Sequence, residues 1–204
     1  VTQEKTNDTR LLQIFSTLTL IPYGGREWHA ASDPEHTFTV PAPGSFRQEA
    51  IENAGQPPNY FSFDTITATS FYVTPDTINQ YLWTTNDSIF LEDRYQPYLK
   101  TTDSIVYRQI VLNGKDTGLE MMLKNGRTNV YKRVRLVIHG NIVYHLYAIG
   151  EKQVLLSDNA NKYYEKFVAN TPVHFHIHES KLTTILADLG SASDSTRPEA
   201  YTAL

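Results

Sequence analysis

Alternating hydrophobic and polar positions run through the middle of the chain and predict short β-strands. The first candidates, separated by prolines and glycines, cover residues 36–40, 46–51, 60–69 and 71–74. Longer candidates cover residues 104–112, 118–124, 131–139 and 141–149, with turn sequences NGKDTG, KNGRTN and HGN between them. We therefore predict an antiparallel sheet, and its clearest hairpin is RVRLVIHGNIVYHLYAIG.

Two stretches with helical spacing of apolar residues accompany these strands. The first covers residues 88–99, where Asn86 or Asp87 is available as the N-cap. The second begins after Ser157 or Asp158 and ends near residue 168. Its apolar stripe consists of Tyr163, Tyr164 and Phe167. Both helices can pack on the sheet, so the predicted fold class is α+β, an antiparallel sheet with helices packed on it.

The aromatic stretch after residue 58 has two possible orientations in its strand. Alternation places Tyr60, Ser62 and Asp64 on one side and Phe61 and Phe63 on the other. We expect the two phenylalanines to face the core, because they form the more apolar side.

The first segment of the chain is similar to a later one. NDTRLLQIFSTLTLIPY at residues 7–23 aligns with NANKYYEKFVANTPVHF at residues 159–175. The simplest interpretation is that residues 1–24 are the remnant of a preceding similar domain, or a linker, in a tandem arrangement. Residues 25–179 then form the central domain, and we expect both ends of the sequence to be boundaries within a larger protein.

Residues 180–204 have a different pattern, which predicts two short helices. Ser180 can cap the first, Gly190 can end it, and the second begins between residues 194 and 198. The apolar residues of the first helix fall on one face: Leu182, Ile185, Leu186 and Leu189. Such short helices need neighbours to cover their apolar faces.

The central domain resembles PsbP-like domains in the order and apolar pattern of its elements. The resemblance covers about residues 28–168 and includes the opening segment HTFTVPAPGSF at residues 36–46. It also includes Arg133, Arg135, Ile142, Tyr144, Leu146 and the aromatic helix of residues 163–167. It implies an antiparallel sheet sandwiched between helices, and it carries no chemical signature.

The tail is similar to the start of a HEAT-type helical repeat. The similarity lies in Leu186, Leu189, Asp194, Arg197, Ala200, Ala203 and Leu204. In that family the Asp and Arg positions brace one repeat against the next, and the arrays bind other proteins. The resemblance therefore implies a helical solenoid beyond residue 204.

Charge and composition exclude several classes of partner. The formal net charge is −4, which disfavours nucleic acid, and no apolar run approaches the roughly 20 residues of a membrane span. The chain has no cysteine, so neither a disulfide nor a thiolate nucleophile is possible.

Three alternating histidines in VHFHIHES are the strongest local signal for chemistry. If this segment is a strand, His174, His176 and His178 share a face, and neighbouring imidazoles can converge on one zinc ion. The first and third lie about 13 Å apart in a straight strand, so a site needs a bend or another ligand. The alternative is a linker strand with a wet histidine face and buried Phe175 and Ile177.

A basic cluster on the strand of residues 131–139 is the second candidate site. Tyr131, Arg133 and Arg135 share one face of this strand. A solvated face paired with nearby acids is the default interpretation. If the domain binds a small ligand, we expect Arg133, Arg135 and Tyr144 to contact it.

We find no catalytic residues, because the sequence has no nucleophile elbow, no Ser-x-x-Lys motif and no phosphate-binding glycine loop. We therefore expect a non-enzymatic binding or scaffolding module of a larger multidomain protein, without a cofactor. Its partner would be a protein or other domains of the same chain, and its location extracytoplasmic, either periplasmic or secreted. The alternative is a metal-binding protein or metal-dependent enzyme that uses the histidine segment.

Overall fold

The computed structural model describes residues 27–50, 56–191 and 196–203. In these ranges the strands form two sheets. A three-stranded sheet has the order β1-β2-β10 and a seven-stranded sheet the order β3-β4-β5-β9-β8-β7-β6. The strands are β1 (His29–Ser32), β2 (Phe38–Ala42), β3 (Arg47–Gln48), β4 (Tyr60–Asp64), β5 (Thr69–Thr77), β6 (Ser104–Asn113), β7 (Asp116–Lys124), β8 (Tyr131–His139), β9 (Ile142–Gly150) and β10 (Val168–Ala169).

Short helices follow or precede these strands, and all are shorter than three full turns. The α-helices are α1 (Asp87–Tyr95), α2 (Lys152–Leu155), α3 (Asp158–Glu165), α4 (Leu182–Leu189) and α5 (Thr196–Thr202). The Asn86 side chain caps α1 by accepting a hydrogen bond from the Ile89 amide, and Ser157 caps α3 through the Ala160 amide. No helix in the described ranges is long and apolar enough to cross a bilayer.

Every pair of neighbouring strands is antiparallel, which confirms the predicted α+β class. The predicted hairpin is β8–β9, whose pairing runs from Tyr131 opposite Gly150 to His139 opposite Ile142. Gly140 lies in its turn with φ +59°, a backbone conformation that residues with a β-carbon rarely adopt. A β-carbon there would also overlap the Val173 side chain, so the turn and residue 173 pack in direct contact.

The seven-stranded sheet is buried on both faces of its central strands. On one face, Val137, Tyr144 and Leu146 pack with β2 and with the aromatic side chains of α3. On the other face, Val134, Leu136 and Val143 pack with α1 and Ile177. Alternate residues of one strand therefore enter two different cores, which explains why β8 and β9 contain few exposed positions.

Several boundaries differ from the predictions for local reasons. Helix α1 ends at Tyr95 and a 3₁₀ turn, Gln96–Tyr98, follows, because Pro97 lacks the N–H that would continue an α-helix. The predicted strand 60–69 is divided by a turn at residues 65–68. Residues 168–169 form β10 instead of ending a helix, because they pair with Phe38 and Thr39 of β2.

The predicted orientation of the aromatic strand was wrong. Tyr60, Ser62 and Asp64 face the interior of the domain, whereas Phe63 is exposed to solvent. Asp64 is buried because its carboxylate accepts hydrogen bonds from the Ile66 amide and the Thr67 hydroxyl in the following turn.

The proposed remnant domain, residues 1–24, lies outside the described residues, as do Asp194 and Leu204 of the tail. The tail does contain two short helices, α4 and α5, and they pack together. Ile185 and Ala200 meet Tyr81 of the central domain in a small apolar cluster of their own.

Candidate functional site

A buried charge cluster occupies the α3 side of the sheet. Glu120 on β7 is 1% exposed, and Arg133 and Arg135 on β8 are 5% and 6% exposed. Arg133 Nη2 lies 3.0 Å from Glu120 Oε1, and Arg135 Nε donates to Glu120 Oε2 at 2.7 Å. One carboxylate thus neutralises part of the charge of two guanidinium groups in a dry environment.

Residues of α2 and α3 satisfy most of the remaining donors of the two arginines. Arg133 Nη1 donates to the Leu155 carbonyl at 2.8 Å and to Asn161 Oδ1 at 2.7 Å. Arg135 Nη1 donates to the Tyr164 carbonyl at 2.9 Å, and the Tyr164 ring lies against both guanidinium groups. Arg133 Nε has no hydrogen-bond partner among the described residues.

The default interpretation of Arg133 and Arg135 as a solvated face was therefore wrong. Alternation correctly placed both side chains on one face, but α3 covers that face. Burial raises the pKa of Tyr164 well above its ordinary value. A ligand could reach these arginines only if α3 were displaced, so their role in ligand binding stays a prediction.

Tyr144, the third predicted ligand contact, joins the two sheets. Its side chain is buried, its hydroxyl donates to the Thr37 carbonyl at 3.1 Å, and it shares a 2.6 Å hydrogen bond with the Thr171 hydroxyl. Burial raises the pKa of Tyr144. The contacts that the structure shows are structural, because they connect β9 to the residues that precede β2 and follow β10.

The histidine segment is not a strand. Residues 172–176 run without regular secondary structure, and 177–178 form a turn. The backbone of this segment is held by specific contacts: the His174 amide donates to Asn141 Oδ1, and the Thr84 amide donates to the Ile177 carbonyl. Ile177 is buried and the three histidines are exposed, as the linker interpretation expected. Phe175, which it also expected to be buried, is only partly buried, and the segment is irregular instead of a strand.

Two of the three histidines lie around a hollow of about 340 Å³ at the β8–β9 turn. His176 and His178 line it together with Asp87, Asp116 and His139, while His174 does not. His139 Nδ1 lies 2.8 Å from Asp116 Oδ2, and His178 Nδ1 lies 3.5 Å from Asp87 Oδ1. The second contact, together with a 3.3 Å contact between His139 Nε2 and the Thr171 carbonyl, ties the segment after β10 to the central domain.

The geometry of this hollow does not match a metal centre. In the described ranges, no group of three or more His, Asp or Glu side chains is arranged to hold one ion. The alternating histidines were expected to converge on one ion, but the segment places only His176 and His178 at this hollow and leaves His174 outside it. Sequence reasoning missed His139, Asp116 and Asp87, because their proximity depends on the β6–β7 and β8–β9 turns meeting α1.

His145 is a separate buried histidine on the α1 side of the sheet. Tyr98 and His145 Nδ1 share a 2.8 Å hydrogen bond, whereas His145 Nε2 has no hydrogen-bond partner among the described residues. Burial, and secondarily the charge of Arg94, lowers the pKa of His145 to about 4. The ring is therefore neutral near pH 7.

An apolar hollow lies where the tail meets the central domain. Its volume is about 460 Å³, and its walls include Tyr81, Leu82 and Trp83 of the loop after β5, with Thr202 and Ala203 of the tail. The Tyr81 hydroxyl donates to Asp188 at 3.0 Å and fixes α4 against this loop. The sequence signal for this site was the aromatic and aliphatic run at 81–83 in a polar loop, which the strand and helix patterns do not include.

The apolar stripe of α4 is wider than the surface that covers it. Ile185 is fully buried, but Leu182 and Leu186 on the same stripe are 49% and 58% exposed. At 100° per residue the four apolar positions of α4 span about 100° of the helix surface. The described residues therefore cover one edge of the stripe and leave the other edge in solvent.

Comparison with known proteins shows the fold and no more. No family model and no curated protein matches this sequence. The solved structures similar to it include cyanobacterial PsbP (CyanoP) from Synechocystis sp. PCC 6803, with 8% identity and a TM-score of 0.51 over 76% of this chain and 99% of that one. A protein of unknown function from Pseudomonas aeruginosa, PA94, has 10% identity and a TM-score of 0.45 over 63% of this chain and 100% of that one. The central domain thus has a PsbP-like fold.

Proposed function

We propose that this chain is a non-enzymatic binding and scaffolding module, in which α4 and α5 join the PsbP-like domain to further helices of a larger protein. The observation that carries the proposal is the half-covered stripe of α4. Leu182 and Leu186 remain exposed although the same helix buries Ile185 against the domain.

The energy available from this surface is substantial for a short helix. Full burial of a leucine contributes about 1.5–3 kcal/mol, so covering the exposed half of each side chain contributes about 1 kcal/mol. The apolar hollow beside Leu82 and Trp83 offers additional area at the same end of the molecule. A neighbouring helix that packs on Leu182 and Leu186 would bury the exposed edge of the α4 stripe.

The resemblance of the tail to a HEAT-type repeat supports the same proposal. Arg197 donates two hydrogen bonds to the Ser191 carbonyl, at 3.0 and 2.5 Å, and so braces α5 against the end of α4. The proposed partner is therefore helical protein, either of the same chain or of another, in an extracytoplasmic setting.

Site-specific thiol labelling tests the proposal, because the chain has no cysteine of its own. A cysteine at Leu186 reports the uncovered edge of the stripe, and a cysteine at Thr184, about 160° away on α4, is the matched control. We expect Leu186→Cys to react quickly in the 204-residue chain and at least about tenfold more slowly in the full-length parent protein. Thr184→Cys should react quickly in both. Equal rates for Leu186→Cys in the two proteins would refute the proposal.

Metal analysis of chelator-free protein distinguishes the scaffolding proposal from the alternative, a metal-dependent protein. The scaffolding proposal expects no stoichiometric zinc. Stoichiometric zinc that is lost in the His174→Ala/His176→Ala variant would favour the alternative instead.

A further inference from the structure

Strand β6 forms one edge of the seven-stranded sheet, and its outer hydrogen-bonding side has no partner strand among the described residues. In the described part of the chain it pairs with β7 alone. It is ten residues long, whereas β3 at the opposite edge of the same sheet has two. An edge strand of this length presents a row of unpaired N–H and C=O groups that another strand can meet.

Natural edge strands usually carry features that prevent pairing, and β6 has few of them. Its sequence, SIVYRQIVLN, contains neither lysine nor proline. A register irregularity lies between Ile105 and Tyr107, at one end of the strand, and the pairing with β7 is regular from Tyr107 to Asn113. Ile110 and Leu112 on the regular part are 48% and 75% exposed.

The charges along β6 allow it to pair with β6 of a second copy of the chain. Arg108 is the single ionisable cation or anion of β6, and it forms an ion pair with Glu92 of α1. The guanidinium also lies over the Tyr95 ring. Because its charge is already matched within the chain, Arg108 needs no acidic residue on a partner strand.

We propose that β6 pairs in antiparallel orientation with β6 of a second copy of this chain, about a twofold axis at Gln109, so that two sheets become one. An antiparallel edge is self-complementary, since the same row of backbone groups serves both copies. On the regular part of the strand, this register places Tyr107 opposite Val111, on matching faces. It places Arg108 opposite Ile110, whereas an axis at Arg108 would set two guanidinium groups face to face.

Cysteine cross-linking tests the register directly. Gln109 lies on the proposed axis, so two Gln109→Cys side chains would face each other with β-carbons about 4.5–5.5 Å apart, a separation that closes to a disulfide with small adjustment. Gln153→Cys, at an exposed glutamine on α2, is the matched control. Under mild copper-phenanthroline oxidation we expect a covalent dimer from Gln109→Cys and none from Gln153→Cys. Similar yields from both variants would overturn the proposal.

Solution mass tests whether the dimer exists and whether β6 forms it. By sedimentation at about 100 μM we expect twice the 23.2 kDa monomer mass for the unmodified chain and an at least tenfold weaker association for Leu112→Lys. Leu186→Lys on α4 should leave the dimer intact, so failure of the β6 proposal is distinct from failure of the scaffolding proposal. A monomer at this concentration, or a dimer that Leu112→Lys leaves unchanged, would show that β6 is not the interface.

Discussion

Removing the negative charge from the buried cluster should be among the most destabilising single changes in this protein. Glu120→Gln keeps the size of the side chain but leaves two guanidinium groups, 5% and 6% exposed, without their counter-charge. The amide of the new side chain also turns a donor toward one of them. The Tyr107 hydroxyl, which donates to Glu120 Oε1 at 2.9 Å, loses a charged acceptor as well.

The magnitude follows from which contacts remain. Breaking a buried ion pair by removing one partner typically costs about 3–5 kcal/mol. Arg133 retains the Leu155 carbonyl and Asn161, and Arg135 retains the Tyr164 carbonyl, so each charge keeps at least one acceptor. We therefore expect the low end of the range, about 3 kcal/mol, out of a total stability of about 5–15 kcal/mol.

Urea unfolding followed by far-ultraviolet circular dichroism measures this difference. With a denaturant dependence of about 1–3 kcal/mol per molar urea, the midpoint should fall by about 1 M or more. Glu92→Gln is the matched control, since Glu92 and Arg108 form an ion pair in which both side chains are 37% exposed. That change should cost no more than about 1 kcal/mol, because solvent screens the pair.

Equal costs for Glu120→Gln and Glu92→Gln would refute the reasoning. Such a result would mean that water or a mobile α3 reaches the arginines and screens them. It would also revive the hypothesis that a ligand can contact Arg133 and Arg135.

Three further changes have expected outcomes. Because the pKa of His145 is lowered to about 4, the unfolded chain binds a proton near pH 6.5 before the folded protein does, and the free energy of unfolding should fall by about 3 kcal/mol between pH 6.5 and 4. Urea unfolding at several pH values should show a smaller fall for His145→Gln, and an unchanged fall would contradict the assignment of this pKa to His145. Gly140→Ala should lower the free energy of unfolding by at least about 1 kcal/mol, because residue 140 has a positive φ and the new β-carbon overlaps Val173. Adding Val173→Ala to the same chain should recover part of this loss, and no recovery would argue against the contact between residues 140 and 173. Asn86→Ala should lower the free energy of unfolding by about 1 kcal/mol through loss of the α1 cap, and a neutral effect would mean that water replaces it.

Patterns among neighbouring residues were enough to predict the local structure of most elements. The turn HGN and the alternation on either side of it predicted the β8–β9 hairpin, because side-chain period and turn chemistry depend on adjacent residues. The caps Asn86 and Ser157 were predictable for the same reason, since a capping side chain bonds an amide two or three residues away. The PsbP-like order of elements was recognisable from these local patterns, and the fold confirms it.

Contacts between distant parts of the chain set which faces are covered and which side chains meet. Alternation placed Arg133 and Arg135 together, but only the position of α3 made that face an interior. Phe63 belongs to the more apolar side of its strand and is nevertheless exposed, because the opposite side carries Tyr60, which packs against Phe38 of β2 in the core. His178 meets Asp87 across 91 residues of sequence in a segment that alternates like a strand yet has no partner strand in the described ranges. The physical reason is common to all three cases. The period of the sequence determines which side of a strand a side chain points to, whereas its burial depends on residues distant in the chain.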